Sequence, residues 1–163
     1  MKEIERTLAA MIEFDAGDPR RIQHFLKVHG FTHLIGTTEG LDARTQRRAE
    51  LAAVVHDIGI HPAEEKYGRC DGKLQEQEGP EPAEQLLIAA GVFPDDVERV
   101  CFLVAHHHTY TGVDGADWRI LLEADALVNL YEDRIPPSAA RQVLENVFRT
   151  DTGISICKTM YCL

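Results

Sequence analysis

Histidine is the residue type most suited to chemistry in this sequence, because neutral imidazole binds transition metals and transfers protons near neutral pH. The chain has eight histidines, six of them in two groups and two others near residue 60. They are His24, His29 and His33; His106, His107 and His108; and His56 and His61. We expect a metal site or an acid–base site that combines side chains from these separate places.

The stretch LAAVVHDIGI, residues 51–60, places a His–Asp pair at the end of an apolar run. The apolar residues keep helical spacing, which predicts a buried helix. Two ionisable neighbours in such a helix are costly unless a hydrogen bond or a metal ion compensates them. His56 and Asp57 are therefore candidate metal ligands, and a hydrogen-bonded pair at a helix end is the alternative.

A lone carboxylate lies in the apolar helical stretch WRILLEADALVNLYED, residues 118–133. Asp125 stands four residues after Leu121 and three before Val128, so it faces the apolar stripe of that helix. Buried carboxylates are rare unless they are paired or bound to a metal. Asp125 is thus another candidate ligand, with a core ion pair as the alternative.

Three segments in order resemble the HD-domain metal-dependent phosphohydrolases. The segments are RIQHFLKV at 21–28, HDIG at 56–59 and LLEADALVNL at 121–130. The family's pattern is a His on an early helix, an adjacent His–Asp pair and a distant Asp. This resemblance covers about residues 18–133, and it implies one divalent metal ion held by His24, His56, Asp57 and Asp125.

The resemblance implies hydrolysis of a small, nucleotide-like phosphate ester by a water molecule that the metal activates. Asp57 would also orient that water, and His106 or His107 would stabilise the phosphoryl group or protonate the leaving oxygen. Mn, Fe, Co, Ni and Zn suit imidazole and carboxylate ligands, and Mg is compatible with the carboxylates.

Two departures from the family pattern bear on the number of ions and on the substrate. Many members read HDIGK, whose Lys can face a phosphate, whereas this chain has Ile60. Dinuclear members carry a further His some twenty residues past the pair, and here QEQEGPEP offers only glutamates. His106 and His107 do resemble the pair that completes a second site, so the chain has part of a dinuclear ligand set. Because the further His is missing, one ion is expected, and a dinuclear oxygenase is the alternative. A non-catalytic metal-containing binding or signalling domain is a further alternative.

His29 and His33 form a separate H-x-x-x-H pair one helical turn apart. A zinc protease of the H-E-x-x-H type needs a Glu as general base, and Gly30 stands at that position. This spacing alone therefore gives weak support for a zinc-protease site.

Residues 61–80 are rich in charge, glycine and proline, which predicts a loop with about one helical turn and a functional role. Lys66 and Lys73 are candidate phosphate ligands, and Glu78 is a candidate substrate-contacting acid or base. A solvated charged loop without any such role is the alternative.

The rest of the pattern predicts an all-α, compact HD-type bundle of seven or eight helices in a single domain, residues 1–163. The motif-bearing core would span 18–133, and C-terminal helices at 138–161 would pack on it. A helix begins near Asp18-Pro19 and another near Asp42, the latter ending with Gly59 as C-cap. The later helices are expected at 81–90, 95–107, 117–132, 138–149 and 152–161.

The composition narrows the partners and the compartment. The formal net charge of −10 argues against binding duplex nucleic acid, which needs many basic contacts. No stretch has 18 uninterrupted apolar residues, so no membrane span is expected. The four cysteines show no C-x-x-C spacing and are typical of reduced thiols in the cytoplasm. We expect a cytoplasmic protein with a small phosphorylated substrate, and a homodimer is compatible with the sequence.

Overall fold

α-Helices form all the regular structure of residues 3–163, the part of the chain that the computed structural model describes. No strand occurs in that range, so the all-α prediction is confirmed. The helices are α1 (Glu3–Phe14), α2 (Pro19–Thr38), α3 (Ala43–Val55), α4 (Ile60–Tyr67), α5 (Gly72–Glu78), α6 (Pro80–Ala89), α7 (Pro94–Val104), α8 (Ala116–Glu132), α9 (Pro137–Val147) and α10 (Asp151–Tyr161).

The predicted starts of α2 and α3 are confirmed by their caps. The Asp18 carboxylate accepts a hydrogen bond from the backbone N–H of Arg21 at 3.0 Å, and proline occupies the first turn of α2. Asp42 accepts from the N–H groups of Arg44 and Thr45 at 3.0 and 3.1 Å. Each cap satisfies helix N-terminal donors that would otherwise lack partners, and this fixes where the helix begins.

The predicted C-cap at Gly59 is wrong. α3 ends at Val55, and residues 56–59 form a turn that carries His56 and Asp57 out of the helix. Gly59 has an ordinary φ of −73°, so it is not a left-handed cap. A Cβ atom here would lie 2.6 Å from the carbonyl oxygen of Gln75 and 2.6 Å from the nitrogen of Gly79. Glycine is needed at this position because another stretch of backbone approaches closely.

The loop predicted for residues 61–80 is also wrong, because this stretch folds into α4 and α5. Their glycines mark helix ends instead of a continuous loop: Gly68 caps α4 with a φ of 68° and Gly79 follows α5. The two short helices pack against each other. Such short helices are marginal in isolation and depend on packing that sequence propensity does not reveal. The described residues therefore form ten helices instead of seven or eight.

α2, α3 and α8 pack against one another at the centre of the core. Residues 49–55 of α3 and residues 120–128 of α8 are buried without interruption. α8 is buried on several sides because α9 and α10 also pack on it. This central packing brings the candidate ligands together from distant parts of the sequence. None of the helices within residues 3–163 is long and apolar enough to cross a membrane.

Candidate metal centre

Four side chains predicted as metal ligands converge at one end of the central helices. α2 provides His24, the turn after α3 provides His56 and Asp57, and α8 provides Asp125. The Nε2 atom of His24 lies 3.2 Å from Nε2 of His56, 3.2 Å from Oδ1 of Asp125 and 3.5 Å from Oδ2 of Asp57. Ligands about 2.1 Å from one ion are separated by about 3 Å or slightly more, so this spacing fits a single ion.

The outer nitrogens of the two imidazoles show that the site fits a metal. Nδ1 of His56 faces the carbonyl oxygen of Ala53 at 2.9 Å, and Nδ1 of His24 faces Oε2 of Glu132 at 3.0 Å. Each Nδ1 can donate its proton to that oxygen, which leaves the Nε2 lone pairs directed at each other. Two facing lone pairs repel unless a metal ion lies between them or a proton is bound to one of the rings. Lys27 in turn pairs with Glu132 and holds that carboxylate in place.

Charge at the centre favours a bound cation. Burial alone would raise the pKa of Asp57 and of Asp125, but the neighbouring histidines hold both well below their usual range. Burial would lower the pKa of His24, but hydrogen bonding to Asp125 and the charge of Asp57 raise it to about 9. His56 is fully buried, and its pKa is also raised by Asp57 and Asp125 against the effect of burial. Two carboxylates therefore set a negative potential that a metal ion or a proton would neutralise.

The second oxygen of Asp57 faces another histidine. Oδ1 of Asp57 lies 3.1 Å from Nε2 of His107, which is fully buried and whose Nδ1 lies 2.7 Å from the carbonyl oxygen of Val104. Asp57, His107 and His108 offer ligand atoms close enough together for a further ion. His108 was not among the predicted site residues, although its position directly after His106 and His107 could have indicated a role at the site.

The three consecutive histidines lie beyond the end of α7, which stops at Val104 although the sequence predicted a helix to residue 107. In this turn each ring takes a different direction. The ring of His106 stacks on Phe102 at 4.2 Å, and its Nδ1 faces the carbonyl oxygen of Phe102 at 2.7 Å. The edge of Trp118 also contacts it at 5.5 Å between ring centroids. The structure thus brings His107 to the centre and places His106 in an aromatic group.

A cavity of about 500 Å³ opens at His24 and Asp57. Its basic lining residues are Arg20 and Arg21, which the sequence analysis did not select. Their position on α2, about one helical turn before His24, could have indicated that they lie near the site. An anion bound at the centre would lie beside these arginines.

The residues predicted to bind substrate lie outside the lining of this cavity. Nζ of Lys66 pairs with Oε1 of Glu78 at 3.2 Å, and the Tyr67 hydroxyl donates to the same carboxylate at 2.9 Å. Lys73 is exposed on α5. Their predicted roles in substrate binding stay predictions. The neighbouring Glu76 accepts hydrogen bonds from the N–H of His108 and the hydroxyl of Thr109, so it holds the histidine turn.

The H-x-x-x-H pair forms a separate group on the same helices, which we call the Glu50 cluster: Glu50, His29, His33 and Gln46. Nε2 of His29 lies 3.2 Å from Oε2 of Glu50, and Nδ1 of His33 lies 2.9 Å from its Oε1. The amide of Gln46 donates to the same carboxylate at 2.6 Å. The buried carboxylate is therefore satisfied by these three donors.

Comparisons with known proteins support the same class of site. No protein-family model matches the chain, and no curated protein matches it. The chain is similar to the crystal structure of a predicted HD superfamily hydrolase from an uncultured Thermotogales bacterium, with 26% identity and a TM-score of 0.69. The similarity covers 97% of this chain and 84% of that one.

An all-α fold with a His, His–Asp and Asp cluster at its centre defines the class of HD-type, metal-dependent hydrolases. The similarity to that structure supports assignment of the chain to the HD-domain superfamily.

Proposed function

We propose that this protein is a metal-dependent phosphohydrolase that cleaves a small, nucleotide-like phosphate ester. The observation that carries this proposal is the cavity shared by His24, Asp57, Arg20 and Arg21. A metal ion held by the ligands, together with the guanidinium groups in the same cavity, would provide positive charge for a phosphoryl group. The formal net charge of −10 makes this local positive charge the more significant for an anionic substrate.

In this proposal His24, His56, Asp57 and Asp125 hold one divalent ion, either Mg or a transition metal from Mn to Zn. The ion supplies Lewis acidity and a bound hydroxide at neutral pH. Asp57 is placed to orient the attacking water, because one of its oxygens faces the ligand histidines and the other faces His107.

Of the two predicted proton donors, His107 is the one that contacts Asp57. Its ring nitrogens face oxygen atoms of Val104 and Asp57, and its side chain is fully buried. His107 is outside the lining of the cavity, so we propose that it positions Asp57, while direct proton transfer to the leaving alcohol oxygen stays a prediction. His106 is held on Phe102 and Trp118.

The test is metal-dependent turnover measured together with metal content. Protein stripped of metal is supplied with Mn²⁺, Co²⁺, Ni²⁺, Zn²⁺, Fe²⁺ or Mg²⁺ and assayed against a panel of phosphate esters. We expect phosphate release with at least one ion, and loss of release in Asp125→Asn with the helical circular dichroism unchanged. Metal bound at one ion per chain without turnover on any ester would contradict the proposal and favour a binding domain.

A dinuclear oxygenase is a second candidate because Asp57, His107 and His108 could hold a further ion beside the first. In that case Asp57 would belong to both ligand sets, and His107 and His108 would complete the second. Two irons per chain together with oxygen consumption would support it. One ion per chain together with phosphate release excludes it.

A further inference from the structure

Arg21 places a buried, unmatched hydrogen-bond donor beside the metal centre. The side chain is 17% exposed and lies on α2 one turn before His24. Its Nη1 atom is buried and has no hydrogen-bond acceptor among the residues that the structure describes. The nearest carboxylates, of Asp18 and Glu64, lie 3.7 and 3.9 Å away, beyond hydrogen-bonding distance. Nη1 therefore has two ion-pair partners but no hydrogen-bond acceptor, a cost that an anionic ligand reaching the guanidinium would relieve.

The position of Arg21 suits a phosphate that also reaches the metal centre. Arg21, His24 and Asp57 line the same cavity of about 500 Å³. Arg21 and His24 are three residues apart on one helix, so their side chains share a face. The planar fork of a guanidinium matches two phosphate oxygens at once.

The rest of the cavity wall is acidic and polar. Asp18 and Asp133 line it, and Asp133 is exposed at the end of α8. Carboxylates repel further phosphate groups, and they accept hydrogen bonds from hydroxyl groups. This wall therefore disfavours polyphosphates and favours a leaving group rich in hydroxyls.

The cavity offers little surface for an aromatic base. Its apolar lining within residues 3–163 is Ile60 together with the thiol of Cys70, and no Phe, Tyr or Trp lines it. Sites that bind nucleic-acid bases commonly stack them on aromatic side chains. The lining thus favours a phosphate ester whose alcohol part has no aromatic base.

We propose that this cavity takes the monophosphate of a small, hydroxyl-rich alcohol such as a sugar or polyol, with the guanidinium of Arg21 binding the phosphate. This inference rests on the proposed phosphohydrolase function and replaces the nucleotide-like ester with a monophosphate ester that has no aromatic base. In the reaction the water oxygen bonds to phosphorus and the ester P–O bond breaks. One water proton ends on the released alcohol, and the other stays on the hydrogen phosphate.

The role of Arg21 is tested by binding of inorganic phosphate to the metal-loaded protein in isothermal titration calorimetry. Arg21→Met is expected to weaken phosphate binding by about ten- to a hundredfold. Arg21→Lys keeps the charge without the fork and is expected to lose less. Arg141→Met, which removes an exposed arginine on α9, is the matched control and keeps wild-type affinity. Unchanged phosphate affinity and KM in Arg21→Met, with equal metal content, would overturn the role of Arg21.

The substrate class is tested by kcat/KM for sugar, polyol and nucleoside monophosphates and for nucleoside diphosphates. We expect the sugar or polyol monophosphates to be at least tenfold better, and Asp133→Asn to narrow their advantage over the diphosphates. A tenfold preference for nucleotides would overturn the class. If Arg21→Met does not fold, Arg21→Lys and Asp133→Asn still give both readouts. If phosphate binding depends on Arg21 but no ester is hydrolysed, the proposed phosphohydrolase function is wrong, whereas the anion-binding role of Arg21 is supported.

Discussion

The metal centre and the Glu50 cluster both combine histidines of α2 with buried carboxylates, yet they differ in how their polar atoms are paired. α2 provides His24 to one and His29 with His33 to the other. In the Glu50 cluster each imidazole faces a carboxylate oxygen of Glu50, at 3.2 and 2.9 Å. At the metal centre two Nε2 atoms face each other at 3.2 Å.

The electrostatic consequence of this pairing also differs. Burial would raise the pKa of Glu50, but hydrogen bonds from His29, Gln46 and His33 lower it to about 2. The Glu50 cluster is thus complete without an ion. At the metal centre the outer nitrogens of both histidines already have acceptors, so the inner nitrogens are left to share a metal ion or a proton with Asp57 and Asp125. The partners of the ring nitrogens, more than the number of histidines, distinguish a metal site from a structural network.

The largest difference between the two groups is expected on removing a carboxylate from each. Asp125→Asn takes a charged ligand from the metal centre, so we expect activity to fall by about 10³-fold, equivalent to about 4 kcal/mol of transition-state stabilisation. Glu50→Gln is expected to keep activity within about threefold once the protein is folded. Metal content by elemental analysis and initial rates check both. Equal losses of activity in the two variants would falsify the contrast.

The second prediction uses pH to isolate the Glu50 cluster. The pKa of Glu50 is about 2 in the folded protein against 4.5 for the unperturbed group, so its carboxylate stabilises the fold fully above about pH 4.5. This contribution, about 3 kcal/mol, is lost as the pH falls from 4.5 towards 2. Urea unfolding should therefore show wild type more stable than Glu50→Gln at pH 6, with the difference shrinking below pH 4.

A matched control for this pH effect is Glu13→Gln, which changes an exposed glutamate on α1. Its stability should follow that of wild type across the whole pH range. A difference between wild type and Glu50→Gln that stays constant from pH 6 to pH 2.5 contradicts the predicted lowering of the Glu50 pKa.

The third prediction concerns the carboxylate behind His24. Glu132→Gln weakens the acceptor that fixes the proton on Nδ1, and we expect a loss of about 10- to 100-fold in metal affinity. Competition with a coloured chelator measures this affinity. Glu145→Gln, an exposed change on α9, should leave it unchanged. If Glu132→Gln binds metal as tightly as wild type, the carboxylate does not set the tautomer of His24.

The smallest effect is expected for Lys66→Ala. Lys66 pairs with Glu78 near the protein surface, where solvent screens the ion pair and its contribution to stability is small. From its position outside the cavity lining we expect KM to change by less than threefold. A tenfold rise in KM would instead support the role that the sequence predicts for Lys66 in binding the substrate.

The sequence predicts some residues of the site and not others. His24, His56, Asp57 and Asp125 were selected from their motif and helical context, and the structure brings them together. His106 and His107 could not be distinguished, because consecutive residues in a turn take directions that only the surrounding contacts determine. The sequence does not identify Arg21 as a phosphate ligand, because that role depends on the cavity that it lines. It does not predict α4 and α5, because the stability of these short helices comes from packing.

The sequence by itself determined the elements whose causes are local. Asp18 and Asp42 cap α2 and α3 through hydrogen bonds to residues two or three positions away, and helical spacing turned Asp125 towards the core. Only the tertiary structure decided that Gly59 meets the backbone at Gln75, that His107 faces Asp57, and that Arg21 shares a cavity with Asp57. Capping and periodicity act over one or two helical turns. These contacts instead join segments that are 16 to 50 residues apart in the sequence and that only folding brings together.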